Sequence, residues 1–239
     1  MKSNYFNSPE IKPTVIASAQ HAAFVNGDIV FDWTSFEIPR GTAKLLGATI
    51  SMRSKGDAGA TVQPAGIDLL FAKGPVPDTS PPRLGTANGE ITTFSRTDII
   101  GVVPSATSDI VGIRTAYQST ISSCELVLVP EPSSGSNVGV DKYYIAGLAG
   151  GAIDFTSGII TDGTNATNQA DITYDGVDAR LHFAVGDVIN DQDNVAYGTI
   201  RTIDDDANFT MTAELSNQQV NDKSLYNIHP IRITLHFSK

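Results

Sequence analysis

The stretch Ile231-Arg232-Ile233-Thr234-Leu235-His236-Phe237 alternates strictly between apolar and polar side chains. Successive side chains of a β-strand point to opposite faces of the sheet, so this period of two predicts a strand with one buried face. A terminal strand of such regularity is typical of the interior of a sheet. We therefore expect it to pair with strands from the first part of the chain.

Similar patterns occur throughout the upstream sequence. Residues Ala43 to Arg53 include Ile50 and Met52 in alternation with polar neighbours, and Ile67 to Ala72 is an apolar run that ends before Pro75. These runs predict strands separated by turns. Further strands are predicted at Thr14–Ala19, Asp28–Trp33, Ile99–Val103, Ile121–Val129 and from Tyr143 onward. No helix of three turns is predicted, so the fold class is all-β.

A change of composition divides the chain. Residues 154–226 are rich in Asp, Asn, Thr and Gly and contain no proline. Three β units are predicted there, at Leu181–Ile189, Ala196–Ile203 and Phe209–Leu215, with polar turns between them. Short strands at this spacing favour a small barrel or sandwich. We predict a main β domain of residues 14–153 plus 227–239, with residues 154–226 as an inserted small β domain.

The N-terminal residues 1–13 are polar and end in Pro13, which predicts an extended arm. Such an arm is either disordered or held by a neighbouring subunit. The segment 75–89 contains four prolines, which exclude helix and disfavour a central strand. We expect the arm and this loop to contact a partner.

The charge balance argues against several classes of function. The chain carries 16 basic and 26 acidic residues, a net charge of −10. An acidic chain repels phosphate backbones, so nucleic-acid binding is not expected.

No stretch approaches the ~20 apolar residues of a membrane span, and the N-terminus has no signal-peptide pattern. We expect a protein made in the cytoplasm that does not enter a membrane.

The search for catalytic or cofactor-binding motifs identifies no site. The histidines, His21, His182, His229 and His236, share no metal-binding spacing. His182 and His236 occupy polar positions of predicted strands and are interpreted as surface residues. Cys124 lies in an apolar run and is interpreted as a buried small side chain. The chain is therefore predicted not to be an enzyme and to have no catalytic, cofactor-binding or metal-binding residues.

Two acidic turns are the remaining candidates for a calcium ion. Asp191 and Asp193 begin like a calcium-binding loop, but Ala196 and Thr202 stand where an EF-hand needs glycine and glutamate. The run Asp204-Asp205-Asp206 is interpreted as a solvated hairpin turn. Calcium at Asp191/Asp193 or Asp204–Asp206 would be incidental and structural.

The order of these segments resembles a broad group of tailed-phage virion proteins. The segments that carry the resemblance are Thr14–Gln20, Gly27–Val30, Leu45–Ile50, Ile67–Phe71, Asp98–Val103, Tyr143–Gly147 and the closing strand. The stretch Phe183–Ile189, with Gly198–Ile200 and Phe209–Thr212, is similar to small β modules of phage structural proteins. The resemblance implies a jelly-roll-like β-sandwich and a head-decoration or accessory role, without catalytic residues to carry over.

Taken with the resemblance, the sequence predicts a non-enzymatic virion protein that decorates the outside of the capsid. Its partners would be the major capsid protein and copies of itself, most simply as a homotrimer closed by cyclic symmetry. The alternative is a tail or baseplate adaptor, or a virion protein that binds a host receptor or glycan. A glycan-active enzyme is the remaining alternative.

Overall fold

The structure is a computed structural model that describes residues 4–39, 41–74, 79–93, 99–105, 110–113, 116–122, 126–128, 140–167, 169–204 and 207–239. Strands account for 46% of the residues and helix for 4%. The chain forms several antiparallel sheets, including a curled half-barrel and a nearly closed barrel. The predicted all-β class, with sandwich and barrel character, is confirmed.

The first part of the chain and its last strand form two sheets, which together we call the sandwich lobe. Its strands are β1 (Tyr5–Asn7), β2 (Ile29–Pro39), β3 (Ala43–Arg53), β4 (Ile67–Ala72), β5 (Ile99–Val103), β6 (Ile110–Ile113), β7 (Ala116–Ser122), β8 (Val127–Leu128), β9 (Val140–Ala149) and β16 (Ile231–Ser238). One sheet has the order β1-β16-β3-β7-β6, with β8 also pairing with β3, and the other has the order β2-β9-β4-β5.

One hydrophobic core lies between these two sheets. In β16, Ile231, Ile233, Leu235 and Phe237 are buried, and their polar neighbours are partly exposed. β16 pairs with β3 on one side and β1 on the other, so it lies inside its sheet as its alternation predicts. Buried side chains of β2, β4 and β9 complete the same core. The apolar face of each sheet is thus covered by the other, as in a β-sandwich.

The chain between β9 and β16 forms a third sheet, the barrel lobe, with its own core. Its strands are β10 (Ile159–Thr161), β11 (Asp171–Gly176), β12 (Val188–Asp191), β13 (Ala196–Ile203), β14 (Asn208–Met211) and β15 (Leu225–Asn227), in the order β10-β11-β14-β13-β12-β15. A bridge between Ile160 and Ser224 brings the two edge strands together, which nearly closes the barrel. Gln219 is fully buried and bonds the backbone of Asp162 and Thr173 in the barrel.

Two predicted strands are wrong among the described residues. Residues Ala17–Gln20, which overlap the end of the predicted strand Thr14–Ala19, form a single helical turn, α1, that contacts the barrel lobe. The second wrong prediction is the start of the β unit Leu181–Ile189. Residues Ala179–Leu181 form a 3₁₀ turn, and β12 begins only at Val188. Asp178 explains the second difference because its side chain caps this turn by accepting from the backbone N–H of Arg180 at 2.9 Å.

The N-terminal segment is extended but contacts its own chain. β1 pairs with β16, Ser8 N–H donates to the carbonyl of Leu235 at 2.9 Å, and buried Ile11 bridges to Ile233. The described residues 4–13 therefore belong to the sandwich sheet. The expectation of an arm that is disordered or held by a neighbouring subunit does not apply to them.

The described part of the proline-rich loop also packs on its own sheet. Leu84 is 1% exposed and forms a small core with residues of the outer face of the sheet β2-β9-β4-β5. The Nε1–H of Trp33 donates to the carbonyl of Pro82 at 2.9 Å, and Asn88 N–H donates to the carbonyl of Ile29. Residues 79–89 thus cover apolar sheet surface, and residues 75–78 lie outside the described part.

Among the described residues, the short turn α1 is the only α-helical segment. No helix there has the length and apolar character needed to cross a membrane.

Candidate functional site

We call the contact between the sandwich lobe and the barrel lobe the seam. Several polar side chains form hydrogen bonds there. Gln20 of α1 donates to the carbonyls of Val15 and Asn227, and His21 bonds the hydroxyl of Tyr226 at 2.8 Å. On the other side, the N–H of Gly158 donates to the carbonyl of Gly56 at 3.0 Å. The seam is therefore held by hydrogen bonds at several separated points.

A tight turn places Asp187 at the seam. Its backbone N–H donates to the carbonyl of Ala184, its carboxylate accepts from the N–H of Ala184 at 2.7 Å, and Gly186 between them has φ +90°. A type II turn needs positive φ at this third position, which glycine adopts without steric cost. The backbone thus fixes the carboxylate, whose side chain is only 1% exposed.

The same turn occurs at the start of β2 in the sandwich lobe. Phe24-Val25-Asn26-Gly27-Asp28-Ile29-Val30 parallels Phe183-Ala184-Val185-Gly186-Asp187-Val188-Ile189 in sequence. Gly27 has φ +91°, and Asp28 accepts from the N–H of Val25 at 2.7 Å. Among the described residues, Asp28 makes no ion pair to match those of Asp187. The turn therefore precedes a strand in both lobes. In the barrel lobe its aspartate also pairs with arginines across the seam.

Two arginines of the sandwich lobe converge on Asp187. Arg53, at the end of β3, forms an ion pair with one carboxylate oxygen, and Arg232 of β16 lies 3.6 Å from the other. The guanidinium of Arg53 also lies over the ring of Phe183, 5.3 Å from its centroid. Burial and the nearby charge of Arg232 lower the pKa of Arg53 to about 9. Arg53 therefore stays protonated at neutral pH and pairs across the seam.

A small cavity of about 30 Å³ lies within the seam. The buried polar atoms Ser54 Oγ, His182 Nε2 and Asn227 Nδ2 have no hydrogen-bond partner among the described residues, and all three residues line this cavity. Each water needs ~10–15 Å³, so the cavity has room for about two or three waters. His182 is 8% exposed, and burial together with the charge of Arg53 lowers its pKa. The imidazole is therefore neutral at neutral pH.

A larger groove of about 330 Å³, which we call the seam groove, opens beside this cavity. Its polar lining consists of Ser51, Arg53, Arg180, His182, His229 and Arg232. The lining has three arginines and, among the described residues, no carboxylate. Side chains of Arg180 and Arg232 are 56% and 41% exposed, so both guanidinium groups are accessible from solvent.

Two of the four histidines, His182 and His229, line the seam groove. His236 is a β16 residue whose ring bonds Thr49 and Asn7, as expected for a polar strand position. The interpretation of His182 as a surface strand residue is wrong, because it follows the 3₁₀ turn and is buried at the seam. His229 lines the seam groove and bonds the carbonyl of Pro13. The structure thus brings His182 and His229 together, although their sequence spacing gave no indication of a shared site.

The acidic turns have internal roles. One oxygen of buried Asp191 accepts from the N–H of Asp193 and Val195, and the other accepts from the hydroxyl of Tyr197. Burial raises the pKa of Tyr197 to about 12, and Asp193 pairs with Lys223 at 2.7 Å. These carboxylates are therefore already occupied by protein donors.

Asp204 accepts from the hydroxyl of Thr210 at 2.8 Å, whereas Asp205, Asp206 and the sequence candidate Cys124 lie outside the described residues. Within the described ranges, no three His, Cys, Asp or Glu side chains are grouped so that they could hold a metal ion.

The sequence reasoning missed Arg53, Arg232 and Asp187. The available signal was the repeat Phe-x-x-Gly-Asp at Phe24–Asp28 and Phe183–Asp187, which marks two equivalent buried carboxylates. It could have indicated a turn that buries an aspartate, but it identifies neither the ion pairs of the second copy nor the arginines. Comparisons of the chain with protein-family models, with curated proteins and with solved structures give no match.

Proposed function

We propose that this chain is a non-enzymatic structural protein of a tailed-phage particle that decorates the outside of the capsid. The sandwich lobe binds the major capsid protein, and the barrel lobe projects from it. Copies of the chain associate as a homotrimer around a symmetry axis, which closes the assembly. The proposal extends the resemblance in the order of the sequence segments.

The observation that carries this proposal is the way in which the seam fixes one lobe against the other. The buried charge of Asp187 is used to pair with Arg53 and Arg232 across the seam. A buried charge is costly unless it is paired, so these ion pairs favour the one arrangement of the lobes in which Asp187 contacts both arginines. A two-lobe body of fixed shape suits a protein in which one lobe binds a surface and holds the other lobe outward in a set orientation.

Binding to heads tests the proposal directly. Purified chain is added to phage heads that lack it, and bound chain is separated from free chain by sedimentation and quantified. We expect saturable binding to a fixed number of sites on the head. Binding to isolated tails but not to heads would replace decoration by the tail or baseplate role. Binding to neither would refute a structural role in the particle.

A further inference from the structure

The seam groove is a surface where an acidic chain presents positive charge. The chain has a net charge of −10, yet three arginines line this groove. Around Asp187 two guanidinium groups share one buried carboxylate, and Glu10 at 3.3 Å from Arg232 is itself shared with Lys12. Three cations, Arg53, Arg232 and Lys12, thus share the two carboxylates Asp187 and Glu10. The third arginine of the groove, Arg180, pairs with Asp178.

The groove also has an apolar rim. Leu181 and Ala184 line it, and Val185, the next residue along the chain, is 65% exposed. An apolar rim on a groove lined by arginines is suited to a ligand that carries both an apolar group and a negative charge. Arg232 already contacts two carboxylates, Asp187 and Glu10, which shows that a guanidinium here can serve more than one acceptor.

We propose that the seam groove binds an acidic segment of a partner protein. A carboxylate of that segment contacts Arg180 and Arg232, and an apolar side chain next to it packs against Leu181, Ala184 and Val185. The proposal rests on the proposed function and names the chemistry of its partner.

The probe is a short fluorescent peptide in which a leucine is flanked by glutamates, and its control carries glutamine in place of each glutamate. Fluorescence anisotropy measures binding to the intact chain. We expect the glutamate peptide to bind, the glutamine peptide to bind much more weakly, and added salt to reduce the affinity because charge attraction is screened.

The variant Arg180→Gln removes one exposed guanidinium of the groove, and Arg83→Gln is its matched control. Both arginines are exposed and pair with an aspartate, Arg180 with Asp178 and Arg83 with Asp32, but Arg83 lies outside the groove. Loss of one charge-assisted hydrogen bond predicts an affinity about tenfold lower for Arg180→Gln. Arg83→Gln should bind like the unmodified chain. Circular dichroism of each variant establishes that it is folded.

Equal affinity for the glutamate and glutamine peptides, or equal loss in both arginine variants, would overturn the proposal. Displacement of the peptide by inorganic phosphate at an equal concentration would also overturn it, in favour of a general small-anion site. The assay uses the isolated chain and is therefore independent of head binding. Head binding without peptide binding removes only the groove, and peptide binding without head binding removes only the role in decoration.

Discussion

Replacing Asp187 by asparagine should uncouple the two lobes. The amide keeps the size of the carboxylate and can still accept from the N–H of Ala184, so the turn before β12 is preserved. It carries no charge, however, and leaves Arg53 and Arg232 without the carboxylate that lies between them. The substitution therefore tests the contact across the seam rather than the local fold.

The size of the effect follows from burial. Breaking a buried ion pair by removing one partner costs about 3–5 kcal/mol. The Asp187 side chain is 1% exposed, but that of Arg53 is 22% exposed, so water reaches part of the guanidinium. We therefore expect the low end of the range, about 3 kcal/mol. With a slope of about 3 kcal/mol per molar urea, the unfolding midpoint should fall by about 1 M.

The matched control is Asp28→Asn in the equivalent turn of the sandwich lobe. Asp28 accepts the same backbone hydrogen bond, without an ion pair among the described residues, so its replacement should cost only about 1 kcal/mol. Urea unfolding is followed by two probes. Fluorescence of Trp33, the single tryptophan, reports on the sandwich lobe, and far-ultraviolet circular dichroism reports on both lobes.

In the unmodified chain the two probes should give one coincident transition, as expected for a cooperative unit. In Asp187→Asn, the circular dichroism signal should change at lower urea than the Trp33 fluorescence, because the barrel lobe unfolds first. A midpoint for Asp187→Asn equal to that of Asp28→Asn would refute the reasoning, since the ion pairs would then contribute nothing measurable to stability.

Three further changes test other parts of the account. The pKa of His182 is lowered in the folded state, so stability should decrease as pH falls below about 6.5, the unfolded value, and His182→Gln should flatten this dependence in urea titrations at several pH values. A Cβ at Gly56 would overlap a backbone carbonyl of the opposite lobe, so Gly56→Ala should lower stability by about 1–3 kcal/mol. Gly59 in the same loop has space for the methyl group, so Gly59→Ala should be nearly neutral. Thermal unfolding of both glycine variants measures the difference. Gln219→Ala leaves buried backbone groups of the barrel unpaired and should cost about 2–4 kcal/mol, whereas Gln218→Ala, at an exposed position, should leave the melting temperature unchanged.

The strands with clear alternation could be predicted closely from the sequence. Ala43–Arg53 and Ile67–Ala72 coincide with β3 and β4, and Ile231–Phe237 falls one residue short of the end of β16. In β3 and β16 one face is buried, so the period of two in the sequence reflects the two faces of the sheet. In β4 both faces carry buried side chains, which agrees with its continuous apolar run. The pattern itself is the cause of the structure at these positions.

The misses arise where local hydrogen bonds compete with an apolar run. Leu181–Val185 has the composition of a strand, but the Asp178 cap and the Asp187 turn hold its backbone in other conformations. Thr14–Ala19 is likewise apolar enough for a strand, yet buried Gln20 bonds the carbonyls of Val15 and Asn227 and holds the segment against the barrel lobe. Tertiary contacts decide both segments.

The candidate site could not be predicted because it is assembled from distant parts of the chain. Arg53 ends an early strand, Arg232 lies in the last one, and Asp187 belongs to the barrel lobe between them. Their proximity depends on how the two lobes pack, which no local pattern in the sequence encodes. The unpartnered Nε2 of His182 is visible only once this packing is known.

The central claim, that the chain decorates the capsid, is tested most directly by its copy number in purified virions. Quantitative mass spectrometry measures the chain against the major capsid protein of the same particles. The account predicts a fixed high ratio that follows the amount of capsid protein, including in heads purified without tails. Absence from the particle, or a few copies that follow the tail proteins, would contradict it.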